Sequence, residues 1–87
     1  NDPIAMGAMQ ALLDAEIKVP EDVSIIGFND VEACNFTRPT LSTVYAPSFE
    51  MGEIGASVLH HMITGDDIHY PRRIQLPCQL KIRNSCK

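Results

Sequence analysis

Val19-Pro20-Glu21-Asp22-Val23-Ser24-Ile25-Ile26-Gly27-Phe28-Asn29-Asp30 contains a short, nearly continuous apolar run, Val23 to Phe28. An alternating pattern would mark a strand with one wet face. A short, nearly continuous run with β-branched residues predicts a strand buried on both faces, as in a parallel sheet. Asn29-Asp30 ends the run. Val19-Pro20 closes what precedes it, because the residue before a proline is steered away from helical geometry.

On the N-terminal side, Asp2-Pro3 predicts the opening of a helix: aspartate is a preferred cap, and proline is favoured in the first turn. Apolar residues at Ile4, Ala5, Ala8, Ala11, Leu12 and Ala15 follow at helical spacing, with Met6 and Met9 to one side of the stripe. Glu16 stands where a left-handed glycine would usually end the helix; if it adopts that conformation, the cost is about 1 kcal/mol. On the C-terminal side, Glu32 to Thr40 reads as irregular, and Leu41 to Tyr45 is a second strand candidate. A second helix is expected from about Phe49 to Ile63, with Met51, Ile54, Gly55, Val58, Leu59 and Met62 on its apolar face and Gly65 closing it. Gly52 and Gly55 read as places where a neighbour packs closely. A polar loop, Asp66 to Tyr70, precedes Ile74 to Ile82, which predicts two short strand segments or one broken at Pro77. The order helix, strand, strand, helix, strand is α/β in character.

The 87 residues are 45% hydrophobic and 21% charged, the balance of a globular protein. No run approaches the ~18 apolar residues of a membrane span, and Asn1-Asp2-Pro3-Ile4 is not a signal peptide, so no membrane partner is expected. With no starting methionine, the chain reads as cut from something longer. A net charge of -4 argues against this segment gripping nucleic acid, which needs a surplus of Lys and Arg on one face. Cys34, Cys78 and Cys86 are odd in number and widely spaced, which suggests reduced thiols of a cytoplasmic protein.

The candidate site residues come from a repeated pair. Asn1-Asp2 precedes a helix, and Asn29-Asp30 follows a strand 28 positions later. That spacing suits one βαβ unit if a strand preceded Asn1. Ligands of open parallel sheets bind beyond the carboxyl ends of the strands, so both pairs would share one rim. Asn and Asp side chains can hold neighbouring hydroxyls with paired hydrogen bonds, as a sugar requires. The plainer readings are a helix cap for Asp2 and an Asx-turn for Asn29-Asp30. His60 and His61 diverge by about 100° on a helix and cannot share a metal; His69 adds no ligand spacing, and Asp66-Asp67 lacks the ladder of a calcium loop. No catalytic residue, metal site or cofactor motif is found, and an enzyme is not expected.

Several of these stretches, taken together, resemble the LacI/GalR repressors. Asn1-Asp2 with Ile4-Ala5-Met6-Gly7-Ala8 is similar to that family's "ND.iA.Ga", and Val19 to Asp30 to its "VPeDvSviGfDd". Pro39-Thr40-Leu41-Ser42-Thr43-Val44 resembles "P.LTTv", Glu50-Met51-Gly52 resembles "emG", and Leu80 to Ser85 resembles "LivR.S". The matches run in order along the whole chain. A family member has roughly 330 residues, which would make this the last quarter of one.

The resemblance implies part of a two-lobed, periplasmic-binding-protein-like fold with a parallel sheet and flanking helices. Residues 1–40 and 72–87 would belong to the C-terminal lobe, 41–47 to a hinge crossover, and 48–65 to a helix of the N-terminal lobe. The DNA-binding helix-turn-helix would lie outside this chain and be the only contact with operator DNA. It also implies effector contacts from Asn1, Asn29 and Asp30, with asparagine at 29 where the family usually has aspartate. Ala46 stands where many members carry a ligand-facing polar residue. Met6, Met9, Gln10 and Phe36 match the family's homodimer face, core packing being the alternative for the methionines. The implied function is effector binding and dimerisation in a transcriptional repressor, the effector being a mono- or disaccharide; a transport or receptor protein of the same fold is the alternative. The chain by itself is expected to expose a sheet edge, to self-associate and to bind no effector usefully.

Overall fold

A computed structural model describes residues 1–65 and 73–87. The chain divides into two compact units: Asn1–Ala46 with Cys78–Lys87, and Pro47–Pro77. Expectations for Asp66 to Tyr70 and for Arg72 lie outside the described residues.

The first unit opens on α1, Asp2–Asp14. Its N-cap is Asn1, whose side-chain oxygen accepts from the Ile4 N–H at 3.1 Å. The cap expected at Asp2 is therefore one residue earlier, and Asp2, inside the first turn, is fully buried. At the far end Glu16 is left-handed, with φ of 62°. The Ile17 N–H donates to the Leu12 carbonyl at 2.9 Å and the Glu16 N–H to that of Leu13 at 3.0 Å. This 6→1 and 5→2 pair satisfies carbonyls that the helix end leaves open, at the steric cost of about 1 kcal/mol for a residue with a Cβ.

The sheet has three described strands in the order β1 (Ile26–Phe28), β2 (Ser42–Tyr45), β3 (Gln79–Lys81). β1 and β2 are parallel, with Gly27 opposite Thr43; β2 and β3 are antiparallel, with Val44 opposite Leu80. The sheet is thus mixed, where a parallel one was expected. Only one of the two strand segments expected between Ile74 and Ile82 forms, beyond Pro77, which has no N–H for a ladder.

β1 is also shorter and wetter than its apolar run predicts. Ile25, the residue before it, pairs with the C-terminal tail instead: its N–H donates to the Ser85 carbonyl at 2.9 Å, and its carbonyl accepts from the Ser85 hydroxyl at 2.6 Å. Ile26 and Phe28 share one face and are 50% and 45% exposed, while Ile25 packs against the core on the other. A strand buried on both faces needs a cover for each, and α1 and the segment after β1 supply one. That core is Ala5, Cys34 and Leu41, with Met6 and Ile25 against it. A short 3-10 turn, Glu32–Asn35, carries Cys34 into it.

The tail is laced to β2. The Ser42 N–H donates to the Ser85 hydroxyl at 2.8 Å, the Arg83 N–H to the Ser42 hydroxyl at 2.7 Å, and the Ser85 N–H to the Thr40 carbonyl at 2.9 Å. The stretch 41–47 expected to be a hinge is largely the middle strand of this unit, and the division falls between Ala46 and Pro47.

The second unit contains α2, Ser48–Thr64, closed by left-handed Gly65 with φ of 73°, as its sequence predicts. Ile54 and Val58 are half-buried, while Met51, Leu59 and Met62 are exposed. A Cβ added at Gly52 or Gly55 would meet nothing within 4 Å, so no close neighbour among the described residues accounts for either glycine.

Ile26, Phe28 and the exposed side of α2 present apolar surface that ordinary monomers cover. The 87-residue chain expressed alone is expected to elute from size exclusion as dimers or larger, with the apparent mass rising with concentration. A concentration-independent monomer would contradict this.

Candidate functional site

The carboxyl end of β1 meets the start of α1 through one buried carboxylate. Asp2 accepts from the Thr43 hydroxyl at 2.6 Å through Oδ1 and from the Val31 N–H at 2.8 Å through Oδ2. Burial by itself would raise the Asp2 pKa. Hydrogen bonds from Thr43, Val31, the Cys34 thiol and the Phe28 backbone outweigh it and hold the carboxyl below its ordinary value of 3.8. The same site pushes the Cys34 thiol up to about 11: burial disfavours the thiolate first, and the neighbouring Asp2 carboxylate disfavours it further. Gly27 permits the arrangement, since a Cβ there would collide with Asp2 Oδ1 and press on Leu41 Cδ2 at 3.1 Å.

Because Asp2 bonds to the N–H just after Asp30, the start of α1 lies beside the Asn29-Asp30 turn. Asn1 and Asn29 are exposed there. Asn1 Oδ1 serves the helix cap, which leaves its amide donors for other use. Asn29 and Asp30 both have positive φ, 112° and 60°. Asp30 differs from the expectation: its carboxylate is ion-paired with Arg83 Nη2 at 2.8 Å, with both side chains less than a fifth exposed. Arg83 Nη1 also donates to the Leu41 carbonyl at 2.9 Å. One Asp30 carboxylate oxygen is thereby engaged within the unit. Ala46 is buried.

The face given to dimerisation divides. Phe36 is 72% exposed, Gln10 is exposed and bonded to Asp14 at 2.8 Å, and Met6 is half-buried against the core. Met9 is 3% exposed and has no surface to offer a second chain, so core packing accounts for it. Sequence reading missed Asp2 as the junction, Thr43 and Cys34 as its partners, and Arg83 as the partner of Asp30. The only signal for Arg83 was its place in the "LivR.S" match.

Residues 1–86 match the family model of the periplasmic binding protein-like domain, and the chain belongs to that family. It is of the form carried by the LacI/GalR regulators. It is 41% identical over 85 residues to the ribose operon repressor of Escherichia coli K12, covering 98% of this chain and 26% of the repressor. The transcription regulator CcpA of Lactococcus lactis superposes with a TM-score of 0.91 at 29% identity, over 100% of this chain and 32% of that one. A LacI family regulator of Enterococcus faecalis V583 with bound ribose gives 0.87 at 37% identity, over 99% and 32%. The chain thus spans about a quarter of the length of the curated relatives it matches.

Asp2→Asn leaves a second donor facing the Val31 N–H or the Thr43 hydroxyl, and is expected to cost about 1–3 kcal/mol at neutral pH, measured by urea unfolding. The pH dependence follows from the depressed pKa. The wild-type carboxylate's stabilisation is complete above the ordinary value of 3.8 and is lost as the pH falls through the lower folded value. Acidification should therefore narrow the gap between wild type and variant; a gap independent of pH would show that the Asp2 charge contributes nothing. In thiol labelling of the native protein, exposed Cys78 is expected to react first and buried Cys34 only after unfolding. Equal rates would contradict the buried site.

Proposed function

We propose that this chain is part of the effector-binding half of a transcriptional repressor, and that the effector is a small sugar. The observation that carries the reading is the rim at the carboxyl end of β1, where Asn1 and Asn29 stand exposed on a framework fixed by buried Asp2. Amide side chains offer both donor and acceptor, which matches the paired hydroxyls of a sugar. Support for the class of ligand comes from similar regulators, two of them with bound ribose and one named for the ribose operon. Ribose is therefore the first sugar to test among mono- and disaccharides. The relatives are regulators, which favours this reading over transport or catalysis.

In this reading the unit Asn1–Ala46 with Cys78–Lys87 belongs to one lobe of the effector domain, α2 to the other, and the joint near Ala46-Pro47 to the hinge between them. The intact protein works in the cytoplasm as a homodimer, with Gln10, Phe36 and the edge of Met6 on the shared face. It meets operator DNA through a helix-turn-helix elsewhere in the protein, a reading supported by the acidic charge of this segment, which disfavours a DNA contact here. Sugar binding biases two lobe arrangements that differ in operator affinity.

The test is operator binding by the intact protein with and without D-ribose. Ribose is expected to change operator affinity by about fivefold or more. Asn29→Ala should abolish the response and leave sugar-free operator affinity unchanged. If no sugar in a panel of pentoses, hexoses and disaccharides alters operator affinity, the sensing role is wrong.

A further inference from the structure

Three consecutive backbone N–H groups after β1 are each taken by a different partner. Asn29 donates to the Val44 carbonyl at 2.8 Å, Asp30 to the Thr43 hydroxyl at 3.3 Å, and Val31 to Asp2 Oδ2 at 2.8 Å. The turn needs this support. Two successive residues with a Cβ hold positive φ, a conformation that persists only where surrounding contacts impose it. The side-chain restraint comes from 53 positions away, where the Arg83 fork spans the Asp30 carboxylate and the Leu41 carbonyl. Arg83 is in turn anchored by its own N–H on Ser42 of β2. The charged fork therefore ties the C-terminal tail, the entry to β2 and the turn that carries Asn29.

We propose that Arg83 is a positioning residue for effector recognition. It acts through Asp30: with that carboxylate clamped, the turn has one conformation and Asn29 one direction of approach to the sugar. The inference rests on Asn29 being a sugar contact. A planar, two-pronged guanidinium is suited to the task, whereas the single ammonium of lysine cannot reach two acceptors in the same fixed geometry.

The experiment uses the intact protein with Arg83→Met and Arg83→Lys, each alone and combined with Asn29→Ala. Dissociation constants for D-ribose and 2-deoxy-D-ribose are measured by calorimetry, since the deoxy sugar lacks one hydroxyl of a pair that an amide would hold. Arg83→Met is expected to reduce the preference for ribose by about tenfold, and to change nothing further once Asn29 is alanine. Arg83→Lys should lose most of the preference despite keeping the charge. Equal weakening of both sugars in both backgrounds would make Arg83 a general stabiliser and overturn the proposal, as would an unchanged preference.

Amide exchange followed by NMR gives a readout that needs no sugar. In Arg83→Met the amides of Asn29, Asp30 and Val31 are expected to exchange faster, with the interior of α1 unchanged; unchanged exchange at the turn overturns the proposal. If the wild type binds neither sugar, the ribose reading fails, and exchange at the turn still decides whether Arg83 holds it.

Discussion

The Asp2 carboxylate is the constraint on which the described architecture turns. It is fully buried in a small unit, and a buried charge is tolerated only where hydrogen bonds replace water. Here Thr43 of the middle strand and Val31 after β1 supply them, at 2.6 and 2.8 Å. One side chain therefore fixes three relationships together: the start of α1, the exit from β1 and the position of β2. Gly27 is required because the carboxylate lies against the β1 backbone, and the Cys34 thiol is held protonated by its burial first and by the neighbouring carboxylate second. None of these features is independent of the others. Thr43 illustrates the coupling, since its hydroxyl donates to Asp2 while accepting from the Asp30 N–H.

A second network, at the tail, does for the far end of the sheet what Asp2 does for the carboxyl end of β1. Ser85 accepts from Ser42 and donates to Ile25, and so joins the entries of β1 and β2 through one hydroxyl. Parallel strands have no hairpin to hold their register, and each entry must be pinned from outside the pair. The tail hydrogen-bonds to both. This explains why Ile25, apolar and strand-like in sequence, pairs with Ser85 and leaves β1 only three residues long.

Much of this was legible because helix signals are local. Pro3, the apolar spacing to Ala15 and the left-handed residue at 16 all act within a few residues, and so do the pattern and terminal glycine of α2. The strand reading failed where the deciding partner was distant. The run from Val23 to Phe28 shows apolar content but not which faces are covered, and nothing within it signals that Ser85 takes up Ile25. The carboxylates show the same limit. Asp2 before Pro3 has the signature of a cap, yet neighbouring Asn1 can cap equally well, and only the contact with β2 distinguishes them. Nothing near Asp30 in the sequence signals that Arg83, 53 residues on, pairs with it.

The pair Asn29-Asp30 also shows why a turn and a binding site can call for the same residues. Asparagine and aspartate tolerate positive φ better than other residues with a Cβ, so the backbone alone favours them here. Sugars favour them too, for their paired polar atoms. The structure separates the two demands by charge. Asp30 is neutralised by Arg83, and Asp2, a second carboxylate bonded to the same short turn, is stabilised by its donors. A third carboxylate at position 29 would add a like charge to a cluster with one cation, which raises the cost of ionising each member. Neutral Asn29 keeps the turn-forming geometry and the hydrogen-bonding capacity without that repulsion. The asparagine is thus matched to its charged neighbours, Asp2, Asp30 and Arg83.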